Sequence, residues 1–273
     1  ASPKQLLMGV VVVAAIIVVM VVALATGAIQ VDWLSNIVTA VALVAAIYLW
    51  AQMYTSKLVT REEKNRLLGF IPMFISGVLF FGIFQQQFTV MTIYADVRLD
   101  RHMFGWEIPP SLVQSINPIF IVIFSAVFAT MWTKLGDRQW STPVKFGVAN
   151  IVIGISLFFF LPYSGTAANS TPMYVIIFIL FLFTMAELLL SPVGNALATK
   201  VAPVAFPSRM MAVWMMAVAM GTSLAGSLAS FYNPDDAGAE NTFFISLGVV
   251  SIVLGAILLV LSRWVVKKFS TFR

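Results

Sequence analysis

The sequence predicts an all-α membrane protein with eight transmembrane helices. Three observations carry this prediction: an apolar composition, eight long apolar segments, and an uneven distribution of basic residues between the connections. The chain is 60% hydrophobic and 10% charged, with a mean hydropathy of +0.97. A soluble domain of 273 residues could not cover that much apolar surface, whereas a bilayer leaves it in contact with lipid.

Each of the eight segments is long enough to span a bilayer as a helix, which takes roughly 20 apolar residues. Spanning β-strands are excluded because they need alternating residues, and none of these segments alternates. The first segment, from Leu6 to Thr26, exceeds the apolar core of a signal peptide, roughly 7–15 residues, and is therefore also predicted to be a span. The predicted spans are residues 5–27, 33–56, 68–95, 109–133, 143–163, 172–199, 207–232 and 242–266.

The charges between the spans predict the orientation. If the first end is cytoplasmic, all but two of the 16 basic residues lie on the cytoplasmic side. The exceptions are Arg98 and Arg101, which share the opposite side with most of the acidic residues. This asymmetry follows the positive-inside rule, and a missed span would scramble it. Both chain ends are therefore predicted to be cytoplasmic.

The charged segment "REEKNR" at 61–66 divides the chain into two predicted parts. Residues 1–60 hold two spans without an ionisable residue at mid-membrane. Residues 61–273 hold six spans, and several of these carry polar residues near their centres. The run "GTSLAGSLAS" at 221–230 offers small residues for close helix packing.

Glu187 lies near the middle of the sixth span. A central carboxylate costs about 3 kcal/mol of insertion free energy, and no Lys or Arg lies at the centre of any predicted span. The glutamate must be protonated, reach water, or find a cation outside these helices. One interpretation is a protonated side chain in an interhelical hydrogen bond. The other, which we favour because intramembrane carboxylates mark functional sites, is a binding residue.

Two prolines lie next to polar residues. Pro192 follows Ser191, one turn beyond Glu187, and Pro118 follows Asn117 in the fourth span. Each proline leaves the carbonyl four residues earlier without its helical partner, which predicts a kink and exposed backbone polarity. An amide both donates and accepts, so Asn117 suits a peptide-like ligand; a helix–helix hydrogen bond is the alternative.

Further polar and aromatic candidates lie in the third and seventh spans. Gln85, Gln86 and Gln87 are consecutive, so at most two can face the bundle interior, and we predict that Gln85 is the substrate-binding one. Trp214 is too deep for an interfacial tryptophan and is either core packing or one wall of a pocket. With no cysteine and one histidine, the chain offers no thiolate or histidine-cluster metal site, and no cofactor is predicted. Dispersed basic residues argue against nucleic acid.

These segments resemble the proton-dependent oligopeptide transporters of the major facilitator superfamily over nearly all of the chain. The similar motifs are "FFGIFQQQFTVMTIYADVR", "QSINPIFI", "LGDRQWSTPVKFGVA", "AELLLSPVGNALATKVAP" and "SRMMAVWMMAVAMGTSLAG". The resemblance implies the C-terminal six-helix bundle of a major facilitator fold, preceded by the extra helix pair of bacterial members. The implied partners are small peptides, protons, membrane lipid and an N-terminal six-helix bundle, in the bacterial cytoplasmic membrane.

The resemblance also implies roles for individual residues. Glu187 matches the glutamate that receives the peptide's amino terminus, and Asn117 matches an asparagine that binds the peptide backbone. Trp214 matches a pocket-wall tryptophan, and Ser191 lines the same face. Asp96 occupies a position where family members place an outer-gate ion pair, and Pro118 and Pro192 are expected to act with it in gating.

One position departs from the family pattern. Where the family has a glutamate linked to proton coupling, this chain has Gln85, and Phe81 stands at the position of the preceding tryptophan. Glutamine does not titrate, so the coupling site is not carried over. The leading hypothesis is a proton-coupled di- or tripeptide carrier working by alternating access. The alternatives are a carrier of another small solute, such as nitrate, and an intramembrane enzyme or packing subunit. No acid–base pair or metal set supports an enzyme.

Overall fold

The computed structural model describes residues 3–27, 30, 33–103 and 105–269. Over these ranges the fold is helical, with four two-residue strands in the connections. The helices are α1 (Pro3–Ala25), α2 (Leu34–Thr55), α3 (Arg61–Phe84), α4 (Val90–Val97), α5 (Pro110–Val113), α6 (Ile116–Leu135), α7 (Thr142–Leu157), α8 (Met173–Val201), α9 (Pro207–Ala229) and α10 (Ala237–Phe269). The strands are β1 (Leu99–Asp100), β2 (His102–Met103), β3 (Trp106–Glu107) and β4 (Thr171–Pro172). β1 pairs with β4 in parallel, and β2 pairs with β3 in antiparallel orientation.

The predicted all-α membrane fold is confirmed. Among the described residues, seven helical segments are long and apolar enough to cross a membrane, and they coincide with seven of the predicted spans. They are Leu34–Thr55, Arg61–Val97, Pro110–Arg138, Thr142–Tyr163, Met173–Val201, Pro207–Ala229 and Ala237–Phe269. The remaining predicted span falls on α1, an apolar helix of 23 residues. The structure describes only some of the side chains of this helix. We call the end that carries the connections 56–60, 136–141 and 202–206 the basic end of the bundle.

The third predicted span is interrupted at its three glutamines. α3 ends at Phe84, a 3₁₀ turn covers Gln85–Phe88, and α4 begins at Val90. The Gln86 side-chain amide donates to the carbonyls of Gly82 (3.1 Å) and of Ala225 in α9 (3.2 Å), which anchors the turn to its neighbour. Side-chain hydrogen bonds of this kind replace the helical ladder and allow the chain to change direction in mid-membrane.

The fourth span is interrupted as well. α5 ends at Val113 and α6 begins at Ile116, so the break lies at Gln114 and Ser115. Pro118 therefore lies in the first turn of α6, where its missing N–H costs little. The predicted irregularity next to Asn117 is present, but it takes the form of a helix break rather than a kink inside one helix. In contrast, α8 continues through Pro192 without interruption.

Glycines set the close packing of α7 against α10. A Cβ atom on Gly154 would lie 2.7 Å from the carbonyl oxygen of Gly248, and one on Gly147 would lie 2.9 Å from that of Gly255. Real Cβ atoms essentially never approach a backbone oxygen so closely, so these positions require glycine. Small residues permit backbone contact in the same way in other membrane proteins.

The run of small residues at 221–230 packs α9 closely against two helices: Gly221 lies against α3 and Gly226 against α2. Ser223 donates to the carbonyl of Ser35 at 2.6 Å, and Ser227 donates to Asn36 Oδ1 at 2.9 Å. The second predicted helix is therefore attached to the six-helix part through α9.

A buried ion pair between Arg98 and Glu240 lies just after α4, at the end of the bundle away from the basic end. The Glu240 side chain is fully buried and accepts hydrogen bonds from Tyr232 (2.9 Å), the Gly165 backbone N–H (2.9 Å) and Arg98 (3.3 Å). Arg98 also donates to the Thr166 carbonyl. Burial raises the pKa of the Tyr232 hydroxyl, and the neighbouring carboxylate raises it further. The sequence places Arg98 and Glu240 in connections between spans but does not predict their burial. In the structure, their hydrogen bonds link the connections that follow α4, α7 and α9.

Gly154→Ala tests the packing of α7 on α10, with Gly82→Ala as the control. We expect Gly154→Ala to lower the midpoint of thermal unfolding in detergent, because overpacking costs about 1–3 kcal/mol. A Cβ on Gly82 would lie 3.6 Å from its nearest neighbours, an ordinary contact, so the control should unfold near the wild-type temperature. Equal midpoints for the two variants would contradict the proposed contact.

Candidate functional site

The carboxylate of Glu187 has no cationic partner within the described part of the chain. Glu187 lies in the middle of α8 and is half-buried. None of the four ion pairs of the structure includes it, and its Oε2 atom has no hydrogen-bond partner. This placement agrees with the expectation that a cation would have to come from elsewhere.

Asn117 is the polar neighbour of that carboxylate. It lies in the first turn of α6, which packs against α8, and its side chain is 2% exposed. Its side chain is adjacent to the Glu187 carboxyl group, but its Nδ2 atom makes no hydrogen bond of normal length and angle. The break before α6 positions this residue, because Gln114 donates to Thr92 of α4 at 2.5 Å and fixes the start of the helix.

Ser191 is the third polar residue of this site. It lies one turn after Glu187 on α8, and its Oγ atom is buried without a hydrogen-bond partner. A serine inside a helix usually donates to the carbonyl four residues earlier, and Ser191 does not. We call Glu187, Asn117 and Ser191 the polar trio.

The polar trio leaves a donor, a carboxylate oxygen and a hydroxyl unpaired in an apolar bundle. Buried polar atoms are satisfied in the large majority of cases, and each unpaired one costs about 1–3 kcal/mol. Together they match a ligand that both donates and accepts hydrogen bonds, and the carboxylate adds a preference for positive charge.

Trp214 lies in the core, with 1% of its surface exposed. Its ring packs against Gly77 and Gly194, and its Nε1 donates to Asn195 Oδ1 at 2.8 Å. The rings of Phe70, Phe81 and Phe146 surround it with centroid distances of 5.9–6.3 Å. The structure thus favours the packing alternative for Trp214, and a direct ligand contact stays a prediction that this placement does not support.

The three glutamines have different surroundings. Gln85 is half-buried and donates to Thr222 of α9 at 3.0 Å, so the structure directs it to α9 rather than to the polar trio. Gln87 is 1% exposed, and both polar atoms of its amide are unpaired. The sequence analysis favoured Gln85, whereas Gln87 is the glutamine with an unpaired buried amide. The sequence could not separate the two, because both lie at mid-span.

The predicted gating residues lie apart from one another. Asp96 is exposed at the end of α4 and lies 3.8 Å from Arg101, which pairs more closely with Glu107 at 2.9 Å. Exposed pairs of this kind contribute little to stability. Pro118 and Pro192 are exposed on α6 and α8. Within the described ranges, no group of three or more His, Cys, Asp or Glu side chains is arranged to hold a metal ion.

The chain as a whole matches a known family. The POT family model matches residues 2–245, which is most of the chain. The chain belongs to the POT family. It is 36% identical to the uncharacterized transporter YclF of Bacillus subtilis (strain 168), over 93% of this chain and 51% of that protein. It is also 36% identical to the di-/tripeptide transporter of Lactococcus lactis subsp. cremoris, over 87% of this chain and 48% of that protein.

The fold matches solved members of the POT family. The structure of a POT family transporter in complex with 5-aminolevulinic acid superposes with a TM-score of 0.83 at 35% sequence identity. The match covers 96% of this chain and 54% of that one. The chain thus spans about half the length of the relatives that it matches.

Trp214→Phe separates the packing role of Trp214 from a ligand contact. The variant keeps an aromatic ring but leaves Asn195 without its donor, so we expect a lower unfolding temperature. Trp264→Phe is the control, because Trp264 is 43% exposed and should tolerate the change. Thermal unfolding is measured on the purified protein in detergent. An unfolding temperature of Trp214→Phe equal to that of the wild type would contradict the packing role and restore Trp214 as a candidate wall of the binding site.

Proposed function

We propose that this chain forms the C-terminal half of a proton-coupled di- and tripeptide symporter that works by alternating access. Residues 61–273 would form the C-terminal six-helix bundle, and residues 1–60 the extra helix pair. Substrate would lie near the midplane of the membrane, between this bundle and an N-terminal one, as in related transporters. The unpaired polar trio carries this proposal.

The polar trio matches the amino end of a peptide. A peptide ammonium would donate to Glu187 and supply the positive charge that the described residues lack. The Asn117 amide would donate to a peptide carbonyl, and the Ser191 hydroxyl would fill the remaining hydrogen-bonding position. Membership of the POT family supports a transporter rather than an enzyme.

Two relatives support this class of substrate. One is a di-/tripeptide transporter of Lactococcus lactis, and the other binds 5-aminolevulinic acid. Dipeptides and 5-aminolevulinic acid share a primary amine and a carboxylate, separated by a short chain. A site selected for that amine needs an unpaired carboxylate, which Glu187 provides.

Because Gln85 does not titrate, protons must be carried by another residue. We propose that Glu187 takes part in coupling, because it is the titratable member of the polar trio. The asymmetry of basic residues supports an orientation with both chain ends in the cytoplasm. The relatives from Bacillus subtilis and Lactococcus lactis support a bacterial cytoplasmic membrane.

Glu187→Gln tests the ammonium site. Charge-assisted hydrogen bonds contribute about 1.5–3 kcal/mol, so we expect the affinity for a dipeptide to fall about 10–100-fold. Binding is measured on the complete protein with a free dipeptide and with its N-acetyl derivative, which has no ammonium. The N-acetyl derivative should bind the wild type and the variant equally weakly.

Glu62→Gln is the matched control, because Glu62 is exposed in the first turn of α3. It should bind both ligands as the wild type does. If Glu187→Gln binds the free dipeptide with wild-type affinity, the ammonium site is wrong. If unlabelled dipeptides fail to compete for uptake in the wild type, the substrate is another small solute.

A further inference from the structure

A second candidate site lies at the basic end of the bundle. A cavity of about 900 Å³ opens there between α6, α7 and α8. No member of the polar trio lines it, although the predicted gating residue Pro192 does. The proposed function does not use this cavity.

The cavity contains a buried lysine. Lys145 is only 6% exposed; its Nζ atom donates to Gln139 Oε1 at 2.6 Å and lies 4.0 Å from the centroid of the Trp132 ring. An ammonium group has three donors, so this environment leaves two for another acceptor. Lys145 forms no ion pair with any described residue. Buried charges are normally paired, and this one has no neutralising partner.

Further positive potential converges on the same cavity. Lys200, in the last turn of α8, lines it and repels Lys145 electrostatically. The N-terminus of α7 points to this end as well, and the N-cap residue Ser141 makes no side-chain capping hydrogen bond. A helix N-terminus attracts anions. Asp137 is the acidic residue among the lining side chains; it is exposed and forms no ion pair in the part of the chain described here.

The wall deeper in the bundle is apolar apart from Ser125. Phe128 of α6 and Leu188, Val193 and Leu197 of α8 line the cavity towards mid-membrane. Both lysines lie nearer the basic end of the bundle, Lys145 buried in the cavity and Lys200 exposed. The cavity is therefore amphipathic along the membrane normal, with a cationic outer part and a hydrocarbon-like inner part.

We propose that this cavity binds a membrane phospholipid, with its phosphate at Lys145 and Lys200 and part of an acyl chain against the apolar wall. The phosphate supplies the negative charge that the two lysines lack, and it accepts the two remaining Lys145 donors. Free phosphate would satisfy the lysines but not the apolar wall, so the shape of the cavity favours the lipid. Basic pockets between transmembrane helices bind lipid headgroups in this way.

Native mass spectrometry of the purified complete protein tests the proposal. Phosphatidylglycerol should bind, and diacylglycerol, which has the same acyl chains but no phosphate, should not. We expect Lys200→Gln and Lys145→Gln each to weaken phosphatidylglycerol binding about fivefold, the effect of one basic residue near anionic lipid. Lys145→Arg should retain binding. Lys57→Gln, which removes an exposed lysine of the same end outside the cavity, should bind as the wild type does.

The remaining outcomes overturn the proposal. An equal loss in Lys57→Gln would mean attraction to charge in general. Unchanged lipid binding in Lys200→Gln, whose exposed side chain is not needed for folding, would mean that the cavity is not the lipid site. A second result would lead to the same conclusion. In it, millimolar phosphate raises the unfolding temperature of the wild type but not of the lysine variants, while those variants still bind phosphatidylglycerol.

Discussion

The proposed function of this protein depends on one constraint: the Glu187 carboxylate lies unpaired in an apolar bundle, where an unpaired charge costs free energy. Two buried or half-buried glutamates can be compared directly. Glu240 accepts hydrogen bonds from Tyr232, Gly165 and Arg98 and is fully satisfied. Among the described residues, Glu187 has no ion-pair partner, and its Oε2 atom has no donor. The first glutamate serves the fold; the second lacks such partners, and we propose that a ligand supplies them.

The rest of the bundle supports that one position. α8 passes through Pro192 as a continuous helix and carries Glu187 and Ser191 on successive turns. The break before α6 places Asn117 next to the carboxylate, and glycine contacts fix α7 on α10. Rigid packing on one side and unpaired polar atoms on the other are what a substrate site needs, because preorganised groups lose less entropy on binding.

The sequence predicted most of the fold and supplied candidates for the site. Long apolar segments fix the spans, and a carboxylate in mid-span stands out without tertiary information. Helix breaks were harder, because the turn at Gln85–Phe88 depends on Gln86 reaching the Ala225 carbonyl across a helix interface. The burial of Arg98 depends on three connections that meet only in the folded chain. Trp214 illustrates the same limit, since its core position follows from glycines on two other helices.

The most direct measurement is an experimental structure of the complete protein with a dipeptide bound. The account predicts the peptide ammonium at about 2.8 Å from a carboxylate oxygen of Glu187, with the Asn117 amide donating to the peptide. It would be contradicted by a Glu187 side chain that faces lipid. A Glu187 already paired with a lysine or arginine while the peptide's amino end lies elsewhere would contradict it equally.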